Sequence, residues 1–346
     1  MQLEQFTAVS SGVFALAGEV HLVHPLPGDH WLLHRRVATS GGSGKEQELV
    51  VVNAMLQPVW RLPLPAGVPG WSGGHAVSED LSVVAVALPQ EIRLLNHAGE
   101  PVAGLPYRRE RGTGRAAQGE AGGCAFGSDG RYLWACVPWL REHGQQCDEV
   151  WLVDVAARQV LDRRPVGSAS RWLRFHRHPD GRTVALRRAS TLEEPTVWAR
   201  PVDGRINLQL PRTAAVLADI HPAGHEYLAA SVEEEDPSSG VASALTRYRH
   251  PDHALLERLP SAGALPQGYR WSRTSYLTQD LLLAAIWSSA GDPAGHLLVR
   301  RAPLGVLGAV RYPGGAPEPI GSCHAGRWLT VGDGTVRSWV LAECPP

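Results

Sequence analysis

The sequence repeats one short unit along its whole length. In each copy a β-type strand runs into a polar turn with Gly or Asp, and a hydrophobic strand follows directly. Clear copies span Phe175 to Leu186, Ile220 to Ala229 and Ala125 to Trp134. With weaker copies included, seven turns lie near positions 29, 81, 130, 181, 224, 281 and 326, at spacings of 43 to 57 residues. Self-similarity at such a period indicates a repeat architecture.

Each copy continues into further strands. Glu149 to Val153 is the β-rich third strand of its unit, and Gln159 to Asp162 supplies a fourth. Most units show the same two segments, and long helical periodicity is missing. Four short strands in roughly 40–50 residues are typical of propeller blades. The sequence therefore predicts an all-β fold, a seven-bladed β-propeller of four-stranded antiparallel blades. The tryptophans inside strands are expected in the core: Trp134, Trp151, Trp198, Trp328 and Trp339.

The two ends of the chain complement each other. The last unit stops after its third strand, at Leu341, whereas Gln5 to Leu16 forms a spare strand before the first unit. We predict that this N-terminal strand completes the last blade and closes the ring, because closure hides sheet edges that would otherwise be exposed. The predicted organisation is a single domain over 1–346, with 1–18 as the closing strand and blades starting near 20, 74, 122, 171, 216, 269 and 319.

Three segments carry a resemblance to a known family. They are the turn Phe175-His-Arg-His-Pro-Asp-Gly181, the pair Gly74-His75 before a strand, and Val336-Arg-Ser-Trp339 in a third strand. In these segments, and in its period over essentially the whole chain, the sequence resembles the WD-repeat β-propellers. It departs from them in lacking the Trp-Asp dipeptide. Because propellers of this family are more often platforms for protein interactions than enzymes, the resemblance implies an interaction platform.

Composition limits the classes of function. The formal net charge of −1 shows no basic excess of the kind that nucleic-acid binders carry, so we expect no nucleic-acid partner. The sequence has neither an 18-residue apolar stretch nor a secretory leader, and we expect no membrane association. Its five cysteines are irregularly spaced, which favours the reducing cytoplasm of a bacterium over a disulfide framework. We expect the chain alone to be a monomer.

Loop lengths indicate where a partner binds. The second-to-third and fourth-to-first connections are long, as in 138–148 and 106–122, and both types lie on one face of an up-and-down propeller. Arginine binds carboxylates bidentately, and exposed Trp beside Arg is typical of interaction hot spots. We therefore predict a non-catalytic scaffold for a protein or peptide, with an acidic partner favoured. The predicted binding residues are Arg108, Arg109, Arg111, Trp139, Arg141, Arg188 and Trp287.

Metal and catalytic chemistry find less support in the sequence. His221 and His225 have a spacing that a metal ion could use, as do His176 and His178. However, His178 and His221 each precede a proline in the recurring turn, as His24 does, and we interpret them as turn elements. No nucleophile elbow, phosphate-binding loop or dinucleotide fingerprint occurs. We therefore expect no cofactor, no metal ion and no catalytic residue.

Two alternatives to a scaffold stay open. A lactonase-like propeller hydrolase would have its site at the central channel, which Asp219 and His75 are placed to line near the starts of first strands. A sensor of a small ligand or a glycan would need an aromatic-lined pocket.

Overall fold

The computed structural model of the protein describes residues 4–15, 19–26, 29–38, 45–64, 74–88, 90–107, 122–140, 146–168, 173–188, 196–211, 215–231, 244–288, 290, 292–313, 320–332 and 334–343. These residues form 28 strands and one four-residue helix. Within this part of the chain, no helix is long and apolar enough to cross a membrane.

After the first strand, β1 (Glu4–Ala15), the chain forms antiparallel blades of four consecutive strands. Blade 1 contains β2 (Glu19–Leu26), β3 (His30–Ala38), β4 (Lys45–Val52) and β5 (Pro58–Pro63). Blade 2 contains β6 (His75–Val77), β7 (Val83–Ala87), β8 (Glu91–Asn96) and β9 (Pro101–Pro106). Blade 3 contains β10 (Gly123–Phe126), β11 (Tyr132–Leu140), β12 (Gln146–Asp154) and β13 (Gln159–Ser168). Blade 4 contains β14 (Leu173–Arg177), β15 (Val184–Arg188), β16 (Val197–Val202) and β17 (Arg205–Gln209).

The remaining blades follow the same order. Blade 5 contains β18 (Ala215–Ile220), β19 (Glu226–Ser231), β20 (Ala244–Arg249) and β21 (Leu255–Pro260), and α1 (Ser261–Ala264) comes after it. Blade 6 contains β22 (Tyr269–Tyr276), β23 (Leu281–Ser288), β24 (Pro293–Arg300) and β25 (Gly305–Arg311). Blade 7 takes three consecutive strands, β26 (Ile320–His324), β27 (Arg327–Gly332) and β28 (Thr335–Leu341), together with β1. The predicted seven-bladed β-propeller is confirmed.

The chain forms two compact units. Met1–Arg61 and Ala214–Pro346 make up one unit, which contains blades 5, 6 and 7 and most of blade 1. Leu62–Thr213 makes up the other, which contains blades 2, 3 and 4. Within each unit the first strands of successive blades contact one another, for example β6 with β10 and β18 with β22. The single-domain organisation over 1–346 stays a prediction.

The N-terminal strand closes the last blade, as predicted, and also reaches the blade before it. Ala8 to Ala15 of β1 pair antiparallel with β28, whereas Glu4 to Thr7 pair parallel with β25. Blades 6 and 7 are thereby joined into one eight-stranded sheet. Gly308 permits this second pairing, because a Cβ atom there would lie 2.2 Å from the carbonyl oxygen of Glu4.

The repeated turn owes its shape to Asp and Gly. In blade 4, the Asp180 carboxylate accepts hydrogen bonds from the amides of Arg182 and Thr183, at 2.9 and 2.8 Å. Gly181 follows with a φ of +78°, a left-handed conformation that glycine adopts without strain. Its amide donates to the carbonyl oxygen of His178, which closes the turn. An Asp-Gly pair is therefore a reliable marker of this position.

The core lies between the blades. Hydrophobic side chains from the facing sheets of blades 2 and 3, blades 3 and 4, blades 5 and 6, and blades 6 and 7 form continuous clusters. The tryptophans predicted to lie in this core are all buried, which confirms the prediction: Trp134, Trp151, Trp198, Trp328 and Trp339. Their large apolar surface packs neighbouring blades together.

Candidate functional site

Each blade has two different ends. The second-to-third and fourth-to-first connections adjoin one end of the strands, here called the loop end, and the tight turns adjoin the other, here called the turn end. Arg108, Arg109, Arg111 and Arg141 lie outside the described residues. The predictions for these four arginines stay predictions.

The other three predicted residues lie at the loop ends of second strands. Trp139 is the penultimate residue of β11 and Arg188 is the last residue of β15, but their side chains are outside the described part of the structure. Trp287 is the penultimate residue of β23 and is 36% exposed. Trp139 and Trp287 therefore occupy the same strand position in blades 3 and 6.

Trp287 has an arginine as its direct neighbour. In the antiparallel pairing of β22 with β23, Arg270 stands opposite Trp287. Opposed residues of antiparallel strands project from the same face, with Cβ atoms about 4.5–5.5 Å apart. On its other side, Trp287 pairs with Pro293 of β24. An exposed indole beside a guanidinium, on regular sheet structure, is suited to contact a protein partner.

A buried hydrogen-bonded chain supports this end of blade 6. His296 pairs with Ala285, two residues before Trp287 and on the same sheet face. Its Nδ1 atom is hydrogen-bonded to the Tyr312 hydroxyl, and the indole N–H of Trp328 donates to that same oxygen at 2.9 Å. Burial lowers the pKa of His296 to about 4, so the ring is neutral at pH 7. This network links β24 of blade 6 to β27 of blade 7 by buried hydrogen bonds, close along the strands to Trp287.

A second polar cluster lies at the turn ends of blades 5 and 6. The buried Glu226 carboxylate accepts hydrogen bonds from Arg247 at 3.1 Å, Arg301 at 3.2 Å and the Tyr276 hydroxyl at 3.0 Å. Burial opposes its ionisation, but the charges of Arg247 and Arg301 and the Tyr276 hydrogen bond hold the pKa of Glu226 below its usual value. Both carboxylate oxygens are occupied, and the cluster serves to tie blade 5 to blade 6.

His221, His225 and Glu226 bring possible metal-ligand atoms within 4.8 Å of one another. His221, however, already uses both ring nitrogens. Its Nδ1 accepts the amide hydrogen of Ala223 at 3.0 Å, and its Nε2 is 3.0 Å from the carbonyl oxygen of Gln279, to which it donates. In blade 4, Nδ1 of His178 likewise accepts the amide of Asp180. These contacts support the interpretation of His178 and His221 as turn elements.

The first strands of blades 5 to 7 are linked through charged side chains. Asp219 of β18 accepts hydrogen bonds from the amides of Ile220 and of Tyr276, the latter in blade 6. Arg273 of β22 donates in turn to the carbonyl oxygen of Ile320 in blade 7, at 2.8 Å. His75, the other residue considered for channel chemistry, is buried. Asp219 is thus engaged in blade-to-blade bonding.

Sequence reasoning missed Arg270, His296 and Tyr312 at the loop end of blade 6. Each lies in or beside a strand and belongs to no motif, so only the strand register places them near Trp287. It also missed the network around Glu226, whose members come from four different segments. The only sequence signal for this network was the presence of charged residues at the ends of predicted hydrophobic strands.

No protein-family model matches the sequence, and no curated protein is similar to it in sequence. Solved structures do match. The WD40 domain of Pan2 from Neurospora crassa has a TM-score of 0.60 and 9% identity, over 99% of this chain and 98% of that chain. The β-propeller domain of the Trilobed protease from Pyrococcus furiosus, which has an open velcro topology, has a TM-score of 0.53 and 11% identity over 94% of both chains.

A Pyrococcus horikoshii acylaminoacyl peptidase is also similar, with a TM-score of 0.55 and 12% identity. The match covers 91% of this chain but 48% of the peptidase, so this chain corresponds to about half of that enzyme. A WD40 domain, the β-propeller domain of a protease and a peptidase are thus among the similar structures. Taken with the strand order, these likenesses show that the chain has the β-propeller fold.

Proposed function

We propose that the protein is a non-catalytic scaffold that binds a protein or peptide partner at the loop ends of its blades. The observation that carries the proposal is the exposed Trp287 directly opposite Arg270 at the loop end of blade 6. Tryptophan and arginine are the residues most enriched in interaction hot spots, where truncation typically lowers affinity by about 2 kcal/mol or more. A rigid blade presents both at little entropic cost on binding.

The proposal also includes the other binding residues predicted from the sequence. Trp139 and Arg188 lie at the corresponding loop ends of blades 3 and 4. Arg108, Arg109, Arg111 and Arg141 follow from the sequence alone. Because these residues are cationic or aromatic, the partner chemistry that fits best is a segment with carboxylates and apolar side chains.

The state of two candidate carboxylates, Glu226 and Asp219, favours a scaffold over a hydrolase that uses either of them. Glu226 is held ionised by two arginines and a tyrosine, and Asp219 accepts two backbone amides. A general acid needs a raised pKa, whereas that of Glu226 is lowered, and the hydrogen-bond donors around Glu226 and Asp219 occupy positions that a substrate would need. Burial also raises the thiol pKa of Cys124 and Cys323, which keeps both protonated. Free buried thiols are in keeping with a reducing cytoplasm.

Native co-purification tests the proposal. The tagged chain would be expressed in the organism that encodes it, and retained proteins would be quantified for wild type, for Trp287→Ala, and for a variant with Arg108, Arg109 and Arg111 changed to Glu. We expect one partner to be retained by wild type and reduced at least tenfold by each variant. Leu255→Ala is the matched control, because Leu255 is an exposed apolar residue on the outer strand of blade 5.

Two results would count against the proposal. Equal retention by wild type and both variants would exclude the loop-end surface. Turnover of an ester or peptide substrate by the purified chain, lost on substitution of Asp219 to Asn, would instead support the hydrolase alternative.

A further inference from the structure

A groove opens between the outer strands of blades 3 and 4, along the β16–β17 hairpin. It has a volume of about 780 Å³ and is lined by Arg164 of β13 and by the hairpin of β16 and β17. The lining residues of the hairpin are Val202, Asp203, Arg205, Ile206, Asn207 and Leu208. Sites for small ligands or short segments generally occupy about 300–1,000 Å³, so the groove is large enough for a short peptide.

The groove is preformed. Asp162 of β13 accepts a hydrogen bond from the amide of Ile206 in β17 at 2.8 Å, which joins the two outer strands. Ile206 packs in the core between the blades, and Leu208 packs against the same cluster. Asp203 and Gly204 form the tight hairpin turn, with φ of 50° and 73°. The apolar floor and the bond across it are therefore held by the fold itself.

Among the residues that line the groove, two are arginines, Arg164 and Arg205, and one is a carboxylate, Asp203. Arg164 is 44% exposed and lies 3.2 Å from Asp162, whose two oxygens also accept the amides of Arg163 and Ile206. Arg205 is exposed and, within the described residues, forms no ion pair. Exposed Arg200 stands opposite Asn207 on the same hairpin.

We infer that this groove binds a short, extended, acidic segment of a protein partner. Arg164 and Arg205 are placed to pair with its carboxylates, and Val202 and Leu208 to contact apolar side chains between them. Full strand addition to β17 is blocked, because Asp162 already occupies the outward amide of Ile206. Recognition therefore depends on side chains.

A nucleic acid fits the same groove less well. None of the lining residues is aromatic, so nothing there can stack on a base, whereas Val202 and Leu208 offer apolar contacts to peptide side chains. The inference goes beyond the loop-end scaffold and does not depend on it, because none of the residues proposed for that scaffold surface lines the groove.

Fluorescence polarisation with a defined probe tests the inference. The probe is a fluorescein-labelled eight-residue peptide with glutamate at alternate positions and two leucines and two serines between them. We expect saturable binding that weakens as salt rises from 50 to 500 mM, since exposed charge pairs are screened. The double variant Arg164→Ala, Arg205→Ala should weaken binding at least tenfold, and Leu208→Ser should weaken it by about threefold or more. Arg61→Ala, an exposed outer-strand arginine of blade 1, should change it less than twofold.

Control measurements accompany the polarisation experiment. Melting temperatures within about 2 °C of wild type would show that the variants are folded. A peptide with glutamine for glutamate should not bind. The inference is overturned if wild type shows no saturable binding of the probe, or if the double variant binds the probe as tightly as wild type does. It is also overturned if wild type binds the glutamine peptide as tightly as the glutamate probe, or binds a twelve-residue oligothymidylate more tightly. Trp287→Ala distinguishes the two surfaces. A probe held in the groove keeps its affinity for this variant, whereas a probe that loses affinity for Trp287→Ala and keeps it for the double variant is bound at the loop ends, which would overturn the inference.

Discussion

Trp287 of β23 and Arg270 of β22 stand directly opposite each other at the loop end of blade 6. The indole is 36% exposed, whereas Trp271, the next residue after Arg270, is fully buried against blade 5. Neighbouring strand positions thus place one tryptophan in the core and the other at the surface, because successive side chains point to opposite faces. Trp271 therefore packs in the core, whereas Trp287 is available to bind a partner.

The two tryptophans should differ in their effect on stability. Trp271→Ala creates a cavity between blades 5 and 6, and we expect it to lower the free energy of unfolding by about 3–5 kcal/mol. Trp287→Ala removes a partly solvated side chain, and we expect a loss of about 1 kcal/mol. Urea denaturation followed by fluorescence and by circular dichroism measures both. Equal losses would mean that Trp287 is a structural residue.

The Glu226 network predicts a large effect of a single neutralisation. Glu226→Gln leaves the buried charges of Arg247 and Arg301 without their shared partner, and we expect a loss of roughly 3 kcal/mol at pH 7. Because the pKa of Glu226 is lowered from 4.5, its contribution is present above that pH and disappears as the pH falls through the folded-state pKa. The difference between wild type and variant should therefore shrink in acid.

An exposed ion pair supplies the control for Glu226. Arg249 and Asp252 are 2.8 Å apart with side chains 56% and 52% exposed. Asp252→Asn should leave the unfolding midpoint unchanged, since water screens such pairs. A destabilisation equal to that of Glu226→Gln would contradict the role assigned to burial.

Closure by the N-terminal strand depends on Gly308. A Cβ atom there would lie 2.2 Å from the backbone oxygen of Glu4, whereas at Gly305 the nearest atom would be 3.9 Å away. We expect Gly308→Ala to lower stability by about 1–3 kcal/mol and to speed amide exchange of Glu4 to Thr7. Gly305→Ala, in the same strand, should have little effect. Unchanged exchange in the Gly308 variant would argue against the pairing of β1 with β25.

His296 should make stability fall in mild acid. Its pKa is lowered from 6.5 to about 4 by burial, so the unfolded state takes up a proton first. The contribution of His296 to the free energy of unfolding should be constant above pH 6.5. It should decrease by up to about 3 kcal/mol as the pH falls from 6.5 to about 4. His296→Asn should remove that part of the dependence, and His97→Asn, at an exposed turn, should keep it. A titration of both variants against wild type measures the difference.

The fold was readable from the sequence because turns and strand patterns are local. Asp180 and Gly181 mark a turn by their own chemistry, and the spare strand near Gln5 pointed to an incomplete last blade. The parallel pairing of Glu4 to Thr7 with β25 was not predicted, because it depends on a close approach at Gly308 between segments about 300 residues apart.

The candidate site was readable only in part, for a related reason. Trp287 could be placed at a strand end, but its opposition to Arg270 follows from strand register, which a turn motif does not determine. The groove beside Arg164 and Arg205 depends on how two outer strands pack. Pairings between distant segments, such as Asp162 with Ile206, have no signature in either segment alone.

Photo-cross-linking tests the central claim most directly. A photoreactive phenylalanine analogue would replace Trp287 in one variant and Leu255, an exposed residue on the outer strand of blade 5, in another. Both variants would be irradiated in the cells that encode the chain. A scaffold that binds through its loop ends predicts a discrete adduct with one partner from position 287 and none from position 255. No adduct from position 287, or the same adduct from both positions, would contradict it.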